Sequence, residues 1–389
     1  MNNFKRTLTF RDSVFLGLSS MIGAGLFVNI APTAVISSYS LVFGLLIASI
    51  LAFSNASSSA QLANVYPETG GTYLYARKVL GSKASLLAGV AFVIGKIISS
   101  IAIALTFGNY LFPSSHRLVG IALVVAVGIV SYFGATKTAS VSKWFVYSVL
   151  GILLFYIFSV VSSENFSFVI PITDGLTIES LLLSSSIWFF AFTGYSRLAT
   201  FGEEVKNPET IIPKAILTGL GITVSLYFLT TYATLGIVDP AVIQNSLTPL
   251  KVAFDISRFS SFSFLISIAS TIATGSVLLA LVPGISRVIV AMSRDNYLPT
   301  LLGKIHKKYN SAYFSDILIS LIIVTGILYF DVVEAIKISS FFILVYYSLT
   351  NYTVIKLEKS KRLYNVFIAY FGLFGCILLA STLLMNLIK

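Results

Sequence analysis

The chain has 389 residues, 56% of them hydrophobic and only 11% charged, where soluble domains carry about 25% charged residues. That balance excludes a soluble globular protein and implies an integral membrane protein with many spans. A single cysteine, Cys376, excludes an internal disulfide and any multi-cysteine metal site, and the two histidines fall in polar connecting segments. No metal and no cofactor is expected.

A bilayer is crossed by roughly 20 apolar residues. Eleven stretches satisfy this, at about 13–37, 40–65, 85–112, 117–134, 142–162, 180–202, 213–238, 261–293, 312–330, 335–357 and 364–388. The opening "MNNFKRTLTFRDS" is basic and polar, and no small-residue cleavage site follows, so the first apolar run is expected to remain as a span. The net charge of +11 could suggest a nucleic-acid partner. With the N-terminus in the cytoplasm, however, eighteen of the 26 Lys and Arg residues fall in cytoplasmic segments and five in outer ones. This is the positive-inside bias of a membrane protein; no nucleic acid is expected, and the C-terminus is placed outside. Lys96, Arg197 and Arg287 remain within spans.

The first span contains a weak point. In "GLSSMIGAGLFVNIAPT" (Gly17 to Thr33), Gly23-Ala24-Gly25 lies inside the apolar run and Pro32 follows. Glycine costs a helix about 1 kcal/mol relative to alanine, and backbone loosened in hydrocarbon finds no water. Span 6 is interrupted in the same way. "SSSIWFFAFTGYSRLATFGEEVKNP" is apolar to Phe192 and then reads Thr193-Gly194-Tyr195-Ser196-Arg197. A lone glycine pair more often marks close helix packing, but matching interruptions in two halves point to a transporter binding site. Spans 1–5 (residues 1–162) and 6–10 (163–360) make two five-span units, with an additional C-terminal span in 361–389. Five is odd, so the second unit enters the membrane from the opposite side. An interrupted helix frees N–H groups on one half and carbonyls on the other, with partial charges of opposite sign. A carboxylate is expected near the N–H groups of Ala24, Gly25 and Leu26. An ammonium is expected near the carbonyls of Ser20, Met21 and Ile22, and of Ala191, Phe192 and Thr193. Together these ends suit a zwitterionic amino acid.

Four stretches carry a resemblance to the amino acid–polyamine–organocation superfamily of permeases: "SSMIGAGLFV", "ANVYPETGGTYLYARKVLG", "FFAFTGYSRLATFGEEVKNPETIIPKAI" and "SRVIVAMSRDNYLP". Their order and spacing match along nearly the whole chain. The resemblance implies an all-α integral membrane protein of the five-plus-five inverted-repeat, leucine-transporter-like fold, with about 11 transmembrane helices and helices 1 and 6 broken. It implies secondary active, alternating-access transport of amino acids or related amines. The family's substrate contacts carry over to Met21, Ile22, Gly23, Ala24 and Gly25 in span 1, and to Phe190, Phe192, Thr193 and Gly194 in span 6. Phe190 and Tyr195 are candidate aromatic gates. Two departures concern coupling: Ser196 stands where many relatives have an acid, and "VYSVLGILLF" in span 5 lacks the lysine of several relatives. Eleven spans rather than twelve is a milder departure.

An ionisable side chain at membrane depth costs roughly 2.5–3.5 kcal/mol on insertion scales. Lys96 lies about 18 Å along span 3, at 1.5 Å per residue, from its cytoplasmic end, too deep to snorkel comfortably. No deep acid is expected to pair with it. Lys96 is expected near span 1 or span 8 as a candidate carrier of the coupled proton. Arg197 is the second coupling candidate, able to attract an anionic substrate group or to pair with Glu203 or Glu204. Glu203 and Arg287 are assigned to an inner gate. Ser270, Thr271, Thr274 and Gly275 could ligate sodium, but such hydroxyls usually bond back to their own helix, so a proton is the expected coupling ion. Ile97 and Ile101 of span 3, with Ser340 and Phe341 of span 10, are the pocket candidates. The competing readings are a non-transporting nutrient sensor or scaffold and a polytopic membrane enzyme; the latter lacks any catalytic constellation in the sequence. The expected surroundings are the lipid bilayer of the plasma membrane, with the oligomeric state left open.

Overall fold

The computed structural model describes residues 6–68, 70–134, 139–170, 176–201 and 204–388. Their regular structure is helical, with one isolated bridge between Leu8 and Val205 and no strand among the described residues. In chain order the helices are α1 (Phe10–Met21), α2 (Ala24–Val28), α3 (Ile30–Ser37), α4 (Leu41–Val65), α5 (Gly71–Val79), α6 (Ser82–Leu111), α7 (His116–Tyr132), α8 (Ala139–Val161), α9 (Ile178–Phe192), α10 (Pro208–Leu235), α11 (Pro240–Ile243), α12 (Pro249–Asp255), α13 (Phe264–Arg294), α14 (Tyr313–Tyr329), α15 (Val332–Lys356) and α16 (Val366–Ile388).

Nine helical stretches among the described residues are long and apolar enough to cross a bilayer. Spans 6 and 9 of the sequence reading form shorter helices, α9 with 15 residues and α14 with 17. α9 is short because its helical bonding stops at Phe192. Local signals set several helix starts. Thr9 and Asp12 close a reciprocal cap on α1, as Thr177 and Ser180 do on α9 and Asp331 and Glu334 on α15. Gly81, at φ +94°, turns the chain from α5 into α6, a conformation that side chains rarely adopt.

α4 packs against α9, α10, α15 and α16. It can do so because its residues are small: Ala52, Ala56, Ala60 and Ser58 are fully buried. Small residues let helix backbones approach where lipid removes the hydrophobic drive for association. A buried polar group is costly unless bonded, and the polar groups here are joined into a chain. Asn351 Nδ2 donates to Asn55 Oδ1 at 2.6 Å, Ser58 Oγ donates to Asn351 Oδ1 at 2.7 Å, and Asn55 Nδ2 reaches Cys376 Sγ at 3.3 Å. These bonds tie α15 and α16 to α4. α6 packs on α13 and α15, and α6, α13, α2 and the end of α9 surround the site.

Candidate functional site: a cavity at two helix ends

α1 stops at Met21 and α2 starts at Ala24, with Ile22 and Gly23 in non-helical conformation between them. α9 stops at Phe192, and the chain continues through Thr193 and Gly194 into a 3-10 run, Tyr195–Phe201. The two interruptions lie against each other. A Cβ on Gly194 would collide with the Ser20 carbonyl and the Met21 N, and one on Gly25 would lie 2.5 Å from Ala191 Cα. These glycines are therefore close-approach positions as well as breaks. Tyr227 of α10 bridges the pair, its hydroxyl 2.7 Å from Met21 O and 3.1 Å from Ala191 O.

A cavity of about 740 Å³ opens at this junction. Its wall takes Gly23, Ala24 and Gly25 from the first interruption and Phe190, Ala191, Thr193 and Gly194 from the second. α6 contributes Phe92, Lys96, Ser99 and Ile103, one stripe at helical spacing. α13 contributes residues from Val277 to Arg294, and the cavity runs on to Gly70, Tyr73, Asn310 and Ser311. Those last residues belong to the connections that the basic-residue bias assigns to the cytoplasm. On the far side, Tyr110 donates to Phe27 O at 2.7 Å and Asn29 to Ile187 O at 2.9 Å, joining α6 to α2 and α2 to α9.

Most of the residues read from the sequence meet here, and some do not. Met21, Gly23, Ala24, Gly25, Phe190, Thr193 and Gly194 line the cavity. Ile22 and Phe192 are buried but outside its lining, and Phe192 packs on Tyr227 with ring centroids 5.2 Å apart. Of the gate candidates, Phe190 and Arg287 line the cavity. Tyr195 does not; it is fully buried and stacked on Tyr347 at 5.1 Å. Glu203 lies outside the described residues. Ile97 and Ile101 are packed among apolar side chains rather than facing the cavity, which α6 meets one residue earlier and two later, at Lys96 and Ser99. Thr271 and Thr274 bond back to Ile268 O and Ser270 O within α13.

The electrostatics differ from the sequence expectation in two respects. Lys96 is 5% exposed, and its ammonium lies against the end of α9, 3.1 Å from Thr193 O and 3.4 Å from Thr193 Oγ1. Tyr347 OH approaches the same carbonyl at 3.4 Å. The Thr193 carbonyl read as a place for a substrate ammonium thus already holds an ammonium of the chain. Second, a buried acid is present. Asp316, in the first turn of α14, is 2% exposed, accepts a hydrogen bond from Ser286 and lines the cavity. It escaped the sequence reading because it stands at the edge of an apolar run. Arg197 is in the cavity wall within electrostatic reach of Glu204 and Arg287. Below them, Asp295 receives Tyr73 OH at 2.5 Å and pairs with Arg77. Burial and this carboxylate both push the Tyr73 phenol well above its ordinary value, so Tyr73 stays protonated and donates to Asp295.

Comparison with known proteins identifies the family. The family model described as "Amino acid permease" matches residues 12–388. An uncharacterized transporter of Mycobacterium tuberculosis is 35% identical over 387 residues, covering 98% of this chain and 87% of that protein. A branched-chain amino acid permease of Bacillus subtilis is 24% identical over 341 residues, covering 80% of this chain and 72% of that protein. A mitochondrial cationic amino acid transporter of Arabidopsis thaliana is 26% identical over 334 residues, covering 78% of this chain and 54% of that protein.

Proposed function

The chain belongs to the amino acid permease family, an integral multi-pass membrane protein and not an enzyme, and from that premise we propose that it is a secondary active transporter of amino acids working by alternating access. The observation that carries this reading is that one cavity is walled by residues of both helix interruptions, Gly23, Ala24 and Gly25 with Phe190, Ala191, Thr193 and Gly194. Backbone ends at such breaks present partial charges without ionised side chains. In this reading α1 to α3 form one broken span and α9 with its 3-10 continuation another. They occupy equivalent places in two inverted five-span units, 1–162 and 163–360, with α16 as the added span. With the chain in the plasma membrane, its N-terminus inside and its C-terminus outside, a cavity that reaches the loops assigned to the cytoplasm would make this state inward-facing.

Substrate charge is open within the family, since one relative is named for branched-chain and another for cationic amino acids. Coupling to a proton would rest on Lys96, which lies against the second break; Arg197 stays charged and would act by attracting an anionic substrate group. Phe190 would cover the substrate, and Arg287 with Glu204 would shape the inner exit. The test is uptake by purified protein in proteoliposomes, over a panel of amino acids and amines, with and without imposed proton and sodium gradients. Uptake driven by the proton gradient is expected. Absence of uptake and of exchange for every compound would sink the reading. Gradient-driven uptake unchanged by Lys96→Met would remove Lys96 from coupling.

A further inference from the structure

Lys96 is buried on the cavity wall, and both of its acceptors, Thr193 O and Thr193 Oγ1, are neutral. Among the described residues no carboxylate lies within ion-pair distance of its ammonium. The charged group bearing on it is another cation, Arg197. A buried charge without a counter-ion is unfavourable, and an ammonium that faces a cavity can receive that counter-ion from what enters. The rest of the wall does not supply it. Among the described residues, four basic residues line the cavity, Lys96, Arg197, Arg287 and Arg294, against two acids, Glu204 and Asp316. Glu204 already acts on Arg197, and Asp316 is held by Ser286.

We propose that Lys96 is the anchor for a carboxylate of the transported molecule and that the site takes small amino acids of net negative charge. The inference deepens the transporter reading and rests on it. A zwitterion satisfies Lys96 but adds an ammonium, leaving the basic excess of the cavity unchanged; a dicarboxylic amino acid lowers that excess by one. A cationic amino acid raises it, adding a side-chain cation to a wall that already carries Lys96, Arg197, Arg287 and Arg294. A lysine that only pinned the end of α9 would also be stabilising, since a cation suits a helix C-terminus. That structural role predicts equal losses for every cargo when the lysine is removed.

The two roles separate in equilibrium exchange of radiolabelled L-glutamate, L-glutamine and L-lysine across proteoliposomes with no imposed gradient. Glutamate and glutamine have nearly the same shape and differ by one charge. Glutamate is expected to exchange at least tenfold better than glutamine, with lysine at background. Lys96→Met is expected to lower the glutamate-to-glutamine ratio at least tenfold, and Lys96→Arg, which keeps the charge, to retain most of it. Should Lys96→Met fail to give monodisperse protein, the wild-type ratio and the Lys96→Arg ratio still decide. Exchange confined to neutral or cationic amino acids, or a ratio unmoved by Lys96→Met, overturns the proposal while leaving the transporter reading intact. No exchange of any amino acid defeats the transporter reading and this inference with it.

Discussion

The interruption after Met21 and the interruption after Phe192 are built from similar residues, yet the chain treats them differently. At the first, Gly23, Ala24 and Gly25 border the cavity as bare backbone and small side chains. At the second, the Thr193 carbonyl is engaged by Lys96 from α6 and Tyr347 from α15. Breaking a helix releases carbonyls and N–H groups, but whether they become a binding surface depends on what else reaches them. Here the first break borders the cavity through Gly23, Ala24 and Gly25 while Tyr227 engages its Met21 carbonyl, and the second has its Thr193 carbonyl engaged on the cavity wall itself. The glycines differ in the same sense. Gly194 sits where backbone meets backbone, whereas the nearest atom to a Cβ on Gly23 is Val277 Cγ2 at 3.1 Å.

Three substitutions sharpen that contrast. Gly194→Ala is expected to have the largest effect, because its Cβ would enter the Ser20 carbonyl and Met21 N, neither of which can swing aside. A cost of about 3 kcal/mol, the top of the usual overpacking range, would appear as loss of monodisperse protein and of uptake. Tyr227→Phe removes the hydroxyl shared by Met21 O and Ala191 O. About 1–3 kcal/mol should be lost for the carbonyls left without it, read as a lower thermal unfolding temperature in detergent. Gly23→Ala is expected to cost least, under about 1 kcal/mol, since a valine side chain can adjust in the way that small core changes allow. It should nevertheless reduce uptake severalfold by narrowing the cavity. If Gly23→Ala destabilises the protein as much as Gly194→Ala, both interruptions are packing devices and the contrast fails.

Much of the fold was legible because lipid imposes a simple rule on the chain. Apolar runs marked the helices, and the glycines of "MIGAG" and "FTGYS" marked where two of them stop. What was not legible was rotation about each helix axis. Ile97 and Ile101 looked like pocket residues, but α6 turns Lys96, Ser99 and Ile103 to the cavity instead. Tyr227 carried no signal, being one of 20 tyrosines, although it joins the two breaks. Asp316 went unnoticed in the sequence, yet the packing of α14 on α13 buries it beside Ser286.

The sequence by itself determined that the chain lives in a membrane, that it resembles the permeases and where its helices are interrupted, because composition and local backbone preference act over a few neighbouring residues. Only the tertiary structure decided which groups meet the interrupted ends. The partners come from far along the chain, Lys96 from 97 residues before Thr193, Tyr347 from 154 residues after it, and Tyr227 from 206 residues after Met21. Pairings over such distances are set by how helices pack and rotate against one another, which no local pattern records.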